Sequence, residues 1–97
     1  MNFEVTPKGP QVPPGVNPKF FNSMTIGAGE SKKFKTGNVI KVTAGKLRLR
    51  NEGESTWTND NSVYSEKGDI ITCTGPVFGL NEEKTDHVSV RVFQKDK

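Results

Sequence analysis

The chain has 97 residues, of which 31% are hydrophobic and 26% are charged, and its formal net charge at pH 7 is +3. This length excludes more than one ordinary domain, and a domain of this size buries only about 60–68% of the surface that its unfolded chain exposes. The single cysteine excludes a framework of internal disulfide bonds, and no apolar stretch approaches the roughly 20 residues of a membrane-spanning helix.

The first 18 residues predict an extended N-terminal arm, separate from a β domain that occupies residues 19–97. Five of the six prolines fall in residues 1–18. Proline fixes φ and lacks the backbone N–H that a helix or an interior strand requires, so this segment favours an extended, polyproline-like conformation. We expect the arm to lie along a neighbouring surface through its apolar side chains, which are Phe3, Val5, Val12 and Val16.

The residues after the arm predict about eight short antiparallel strands. Apolar and polar residues alternate in short runs, and turn signals built on glycine, asparagine or aspartate separate these runs. Short strands at this spacing are typical of an all-β sandwich or barrel. The predicted strands cover residues 19–26, 31–35, 39–43, 46–50, 62–66, 70–74, 77–80 and 87–94.

A basic face is predicted on a hairpin in the first half of the chain. Ala44 and Gly45 form a tight-turn signal between two predicted strands. Alternation in the second of these strands places its leucines inward and its basic residues outward. The outward-facing cations of the hairpin would be Lys41, Lys46, Arg48 and Arg50, joined by Arg91 if its strand is a neighbour.

The charges are unevenly distributed along the chain. Residues 1–50 carry nine basic and two acidic side chains, a net charge of +7, whereas residues 51–97 carry five basic and nine acidic side chains, a net charge of −4. Such a chain can pair with copies of itself or place its basic face on an acidic partner, although a solvated outer face is the simplest alternative. The aromatic residues that would stack on bases are not interleaved with the basic residues, so the pattern favours a protein partner over nucleic acid.

The sequence offers no catalytic constellation. His87 is the only histidine and stands fourteen residues from Cys73, which lies in an apolar run and is expected to be a small core residue. The acidic pairs lie in polar loops, without the apolar surroundings that would shift their pKa values for acid–base work. We therefore expect no catalytic residues, no metal site and no cofactor, and a protein that is not an enzyme.

The order of motifs across residues 24–93 is similar to that of a known group of proteins. This region contains an apolar-Ala-Gly turn, a Phe-x-Thr-Gly turn at 34–37, an Ile-x-Val run at 40–42, a Leu-x-Leu strand at 47–49, a Gly-Asp turn at 68–69 and a closing valine strand. In this order the motifs resemble small jelly-roll proteins of bacteriophage virions, namely head decoration, vertex or tail accessory proteins.

The resemblance to virion proteins implies a jelly-roll sandwich with a non-enzymatic structural or assembly role. It implies self-association by symmetry, as a trimer or a higher ring, with the N-terminal arm reaching onto a neighbouring subunit. Other virion proteins would be further partners. The chain would be made in a host cytoplasm and built into the virion, with no role for a membrane.

A second set of features in the same region consists of Phe34, the Val42-x-x-Gly45-x-Leu47 turn, Trp57, the Gly68 turn and the strand at 75–80. In these features the chain is also similar to compact cupins, in particular to short cupin-like nucleoside phosphorylases. This similarity implies a small enzyme that acts on a nucleoside or sugar, although the two histidines and the glutamate that bind metal in usual cupins are missing from the chain. Its pocket would lie between the two sheets and be lined by Phe34, Trp57, Tyr64 and Phe78. A third alternative is an inhibitor or adaptor that binds a host protein through the basic hairpin.

Overall fold

The structure is a computed structural model that describes residues 2–9, 12–13, 15–53 and 56–95. Over these ranges it contains nine β-strands and no helix, and the strands form two antiparallel sheets that pack face to face. The predicted all-β class is confirmed, and of the two arrangements that the sequence left open the structure has the sandwich. The strands are β1 (Phe3–Thr6), β2 (Val16–Ile26), β3 (Ser31–Phe34), β4 (Asn38–Ala44), β5 (Lys46–Asn51), β6 (Ser62–Glu66), β7 (Ile70–Cys73), β8 (Val77–Leu80) and β9 (Val88–Lys95).

The strand order is that of a jelly roll. The five-stranded sheet has the order β1-β7-β4-β9-β2, and the four-stranded sheet has the order β3-β8-β5-β6. Four antiparallel strand pairs are nested along the chain: β5 with β6, β4 with β7, β3 with β8 and β2 with β9. Together they correspond to one long hairpin whose turn lies between β5 and β6. Rolling up this hairpin brings β4 beside β9 and β5 beside β8, which gives the two packed sheets of a jelly roll.

The connection between β4 and β5 differs from the predicted hairpin. β4 pairs with β7 and β9 in the five-stranded sheet, whereas β5 pairs with β6 and β8 in the four-stranded sheet. The chain therefore turns a corner between the sheets at Gly45, whose φ of 83° is readily adopted only by glycine. A side chain there would also meet the carbonyl oxygen of His87, 3.0 Å from an added Cβ.

The eight predicted strands correspond in order to β2–β9. The main difference in their bounds is that β2 begins three residues before the predicted start, at Val16. The boundary predicted after residue 18 therefore falls inside this strand. Pro18 is accommodated because β2 lies at the edge of its sheet, where one side of the strand needs no ladder hydrogen bonds.

The N-terminal segment begins with a strand of this chain's own sheet, which differs from the predicted arm. β1 pairs with β7, with Phe3 opposite Cys73 and Val5 opposite Ile71. β1 contains no proline, so its backbone donors are available for the ladder. Phe3 is only 7% exposed and belongs to the main core, against which Val5 is packed.

The main core lies between the two sheets and is formed by alternate residues of nearly every strand. Cys73 is among them, which confirms the prediction of a core cysteine, and burial raises the pKa of its thiol to about 11. Gly79 also faces this core, where an added Cβ would lie 2.9 Å from the Phe34 ring. The fully buried aliphatic side chains are Ile26, Ile40, Val42, Leu47, Leu49, Ile71, Val77, Val88 and Val90.

A second, smaller core covers the opposite face of the five-stranded sheet. It consists of Val16, Val39, Ile70 and Phe93. These residues alternate with main-core residues along the same strands, so they point away from the four-stranded sheet.

Gly9, in the segment that follows β1, lies against this second core. Gly9 packs so closely on Ile70 that an added Cβ would lie 2.3 Å from its Cδ1 atom, and Pro13 is buried. Gly9 thus covers part of a face of its own chain.

Candidate interaction surfaces

The five cations predicted to share one basic face lie on two different surfaces. Lys41 and Arg91 are directly opposite each other in β4 and β9 of the five-stranded sheet. Arg48 and Arg50 lie in β5 of the four-stranded sheet, with Lys46 exposed at the start of that strand. The outer faces of the two sheets point in opposite directions, so the predicted face is divided by the corner at Gly45.

The outer face of the four-stranded sheet carries two arginines interleaved with three aromatic rings. Arg48 lies opposite Tyr64 in β6, and Arg50 lies opposite Phe78 in β8. The guanidinium carbon of Arg48 is 5.3 Å from the ring centre of Tyr64 and 5.6 Å from that of Trp57, which comes from the β5–β6 loop. The guanidinium carbon of Arg50 is 4.6 Å from the Trp57 ring centre and 5.0 Å from that of Phe78. We call these five residues the arginine–aromatic cluster.

The position of Arg48 is fixed by polar contacts as well as by the rings. Its Nη1 atom lies 2.7 Å from Oε2 of Glu82, and its Nε donates to Oγ of Ser62 at 2.9 Å. The hydroxyl of Tyr64 donates to the other carboxylate oxygen of Glu82 at 2.5 Å. Arg48 is only 8% exposed, and a cation so well buried needs such paired and hydrogen-bonded surroundings.

The carboxylate of Glu82 and the phenol of Tyr64 shift each other's titration in opposite directions. The hydrogen bond from Tyr64, aided by Arg48, lowers the pKa of Glu82, and the hydrogen bond to Glu82 raises the pKa of Tyr64. The contribution of this pair to stability is therefore present above the ordinary pKa of glutamate and is lost as the pH falls through the lowered pKa of Glu82. It is also lost at alkaline pH, as the pH rises through the raised pKa of Tyr64.

Replacing Tyr64 by phenylalanine tests this coupling. Tyr64→Phe removes one hydroxyl and keeps the ring beside Arg48, so we expect the pKa of Glu82 to rise toward its ordinary value. A titration of the Glu82 carboxyl carbon by NMR in the two proteins measures the change. An unchanged pKa in Tyr64→Phe would show that Arg48 alone holds the carboxylate, contrary to this expectation.

The arginine–aromatic cluster corrects two expectations from the sequence. The aromatic residues are interleaved with the arginines, because strand register and the fold of a polar loop bring them together. The four side chains of the expected inter-sheet pocket are also divided. Phe34 lies in the main core, whereas Trp57, Tyr64 and Phe78 lie on the outer face of the four-stranded sheet.

The residues expected to bind a neighbour through the arm are mostly packed within this chain. Phe3, Val5 and Val16 contribute to its two cores, because β1 and β2 are strands of its own sheet. Val12 is the one of the four that remains exposed, at 42%.

A third surface is the edge of the five-stranded sheet formed by β2, which the sequence predicted as a strand but did not single out for binding. β2 is eleven residues long and has a hydrogen-bonded neighbour, β9, on one side only. Phe20 is 70% exposed on this edge, the largest exposure of any large apolar side chain in the described ranges. Phe21 beside it is 39% exposed and packs on Phe93, with ring centres 5.3 Å apart.

No group of three or more His, Cys, Asp or Glu side chains within the ranges that the structure describes is arranged to hold a metal ion. Nor does any helix in the same ranges have the length and apolar character needed to cross a membrane.

Comparisons of the chain with protein-family models, with curated proteins and with solved structures found no significant match in any of the three. The proposals that follow therefore depend on the fold and on the surfaces described above.

Proposed function

We propose that this chain is a non-enzymatic structural or assembly protein, of the kind that decorates or joins parts of a phage virion, and that it self-associates through β2. The observation that carries the proposal is the exposed pair Phe20 and Phe21 on a long strand with only one neighbour. An exposed strand edge is a ready template for pairing with another chain, and apolar side chains beside it add buried area.

Only the second part of β2 lacks the devices that keep strand edges apart. Natural edge strands are usually short, or are interrupted by charges, prolines or bulges. Pro18, Lys19 and an irregularity in the pairing with β9 between Val16 and Phe21 interrupt the first part of β2. Phe20 lies at the end of this irregular part, and residues 21–26 pair continuously with β9 and contain neither a charge nor a proline. This second part of the strand is therefore the segment that we expect to pair with a second copy.

The number of copies in the assembly depends on which strand edge of another copy pairs with β2. Antiparallel pairing of β2 with another β2 would give a two-fold dimer, whereas pairing with a different edge would generate a closed ring, such as the trimer implied by the resemblance. A domain of this size has a thin core, so burying Phe20 in either way adds stability that the single chain lacks. The jelly-roll fold supports a virion role only by analogy, since the same fold also occurs in lectin domains and cupins.

The experiment is the solution mass of the full chain, measured by sedimentation at high micromolar concentration. We expect a multiple of the 10.7 kDa chain mass for the wild type. Phe20→Glu places a charge in the contact and should weaken association by about 30-fold or more, the loss typical of a residue central to an interface. Val12→Glu is the matched control, since Val12 is also an exposed apolar side chain but lies in the segment before β2.

The outcomes of this experiment separate the edge strand from the N-terminal segment. Dissociation of Phe20→Glu with Val12→Glu still associated supports pairing through β2. If Val12→Glu dissociates and Phe20→Glu does not, the contact lies in the N-terminal segment. If the wild type is a monomer at high micromolar concentration, the proposal of self-association is wrong. Circular dichroism of each variant checks that the sandwich is intact.

No specific observation favours the cupin-like enzyme or the adaptor that binds a host protein. The first required Phe34 and Trp57 to line one pocket, and these residues lie on opposite sides of the four-stranded sheet. The second required one basic hairpin, whose strands belong to different sheets.

A further inference from the structure

We propose that a phosphate group binds in a concave site on the outer face of the five-stranded sheet, between three cations. The site, which we call the basic cavity, has a volume of about 340 Å3. Its lining includes Lys41, Lys67 and Arg91 together with Thr43, Gly9 and Gly68. This inference goes beyond the proposed assembly role and does not depend on it.

Two like charges lie side by side in the basic cavity. Lys41 in β4 and Arg91 in β9 are directly opposite in the strand register, and Lys41 faces the same side of the sheet as Arg91. Like charges at directly opposed positions destabilise a sheet. The carbonyl oxygens of Gly9 and Gly68 accept from the Lys41 ammonium and offset part of this cost, and a bound anion would offset more of it.

Hydrogen bonds to main-chain groups hold the basic cavity in shape. The Nζ atom of Lys41 donates to the carbonyl oxygens of Gly9 at 2.9 Å and Gly68 at 3.1 Å. Gly9 in turn donates its N–H to the Gly68 carbonyl at 3.0 Å, and the Gly68 N–H donates to the Val42 carbonyl at 2.9 Å. The segment after β1 and the turn before β7 are thereby tied to β4, and Lys67 lies in that turn. Groups fixed in advance lose less conformational entropy when a ligand binds.

The charged side chains that line the basic cavity all have the same sign. Among the described residues, three cations and no carboxylate line the cavity. Arg91 is held with its guanidinium carbon 5.1 Å from the centre of the Phe21 ring, so it projects from a supported position. A concave site lined by one sign of charge concentrates the potential, and guanidinium and ammonium groups are the donors that phosphate oxygens bind best.

The phosphate could come from a small phosphate compound or from the backbone of a nucleic acid. Pyrophosphate and a short single-stranded oligonucleotide are therefore the two probes, each added to the isotope-labelled full chain at constant ionic strength. We expect saturable shifts of the backbone amide signals of Thr43, Gly68 and Arg91 in NMR spectra.

The variants Arg91→Gln and Lys67→Gln each remove one cation from the basic cavity, and Lys84→Gln is the matched control on the exposed β8–β9 loop. We expect the two cavity variants to weaken pyrophosphate binding about tenfold or more, the effect of losing one charge-assisted hydrogen bond, and the control to leave it unchanged.

The oligonucleotide identifies the source of the phosphate. If it shifts the same amide signals and loses affinity in Arg91→Gln, the nucleic-acid backbone is a ligand. If only pyrophosphate does so, the ligand is a small anion, and both results support the site. The proposal is overturned if neither probe gives saturable shifts at these amides, or if Lys84→Gln weakens binding as much as Arg91→Gln.

Discussion

Replacing Phe3 by alanine will lower the free energy of unfolding by about 3–5 kcal/mol, the usual cost of removing a buried phenylalanine ring. Phe3 is buried in the main core and is held there by the pairing of β1 with β7. Because domains of this kind are stable by only about 5–15 kcal/mol, the loss would be a large fraction of the total. Chemical unfolding followed by circular dichroism measures it.

The same substitution at Phe20 is the matched control for Phe3. Phe20 is 70% exposed, so Phe20→Ala should change the stability of the single chain by less than about 0.5 kcal/mol. The comparison is made at a concentration where association is negligible. If both substitutions change the free energy of unfolding by equally small amounts, the result contradicts the structure and indicates that Phe3 belongs to a free arm.

The placement of Phe3 also determines how the N-terminal segment can be studied. A truncation at residue 19 would remove Phe3 from the main core and Val16 from the second core. Such a chain would lose stability whether or not the segment binds a neighbour. Point changes at exposed positions such as Val12 separate these two effects, whereas truncation does not.

The strands of the sandwich could be predicted from the sequence because their signals are local. Alternation of apolar and polar residues places Leu47 and Leu49 inward and Arg48 outward, and the structure agrees at each position. Turn residues such as Gly37 and Gly68 adopt positive φ between strands. Both signals depend on neighbours within a few residues, which is the range that a sequence pattern covers.

The pairing of the strands could not be predicted in the same way. Ala44-Gly45 is compatible with a hairpin and with a corner between sheets, and the choice depends on β7 and β9, which lie far along the chain. That choice decides whether Lys41 lies beside Arg48 or beside Arg91. The five cations of the predicted basic face therefore lie on two surfaces.

The N-terminal strand and the arginine–aromatic cluster escaped prediction for two different reasons. Five prolines dominate the composition of residues 1–18, and they conceal the four residues of β1, which contain none. Trp57 lies in a polar loop that shows no periodic pattern, so only the folded loop reveals its contact with Arg50. The signal that the sequence did contain was one outward-facing aromatic residue on each strand beside β5, Tyr64 on β6 and Phe78 on β8.

Replacing Asn81 by alanine will destabilise the sandwich by about 3 kcal/mol or more, because several buried polar groups lose their partner. Asn81 is fully buried at the end of β8. Its amide nitrogen donates to the carbonyl oxygens of Ile26 at 3.0 Å and Asp86 at 2.7 Å, and its amide oxygen accepts from the N–H of Glu83 at 3.0 Å. The side chain thus joins the end of β2 to the loop before β9.

Two further variants separate these hydrogen bonds from the space that Asn81 fills. Asn81→Asp keeps the shape but turns an oxygen toward the Ile26 and Asp86 carbonyls, so it should destabilise at least as much as Asn81→Ala near pH 7. Part of this loss should be recovered at low pH, where the protonated carboxyl can donate one hydrogen bond. Asn59→Ala, in an exposed turn, should change stability by less than about 0.5 kcal/mol. If Asn81→Asp were as stable as the wild type at pH 7, the hydrogen bonds to the two carbonyls would not be what holds these loops together.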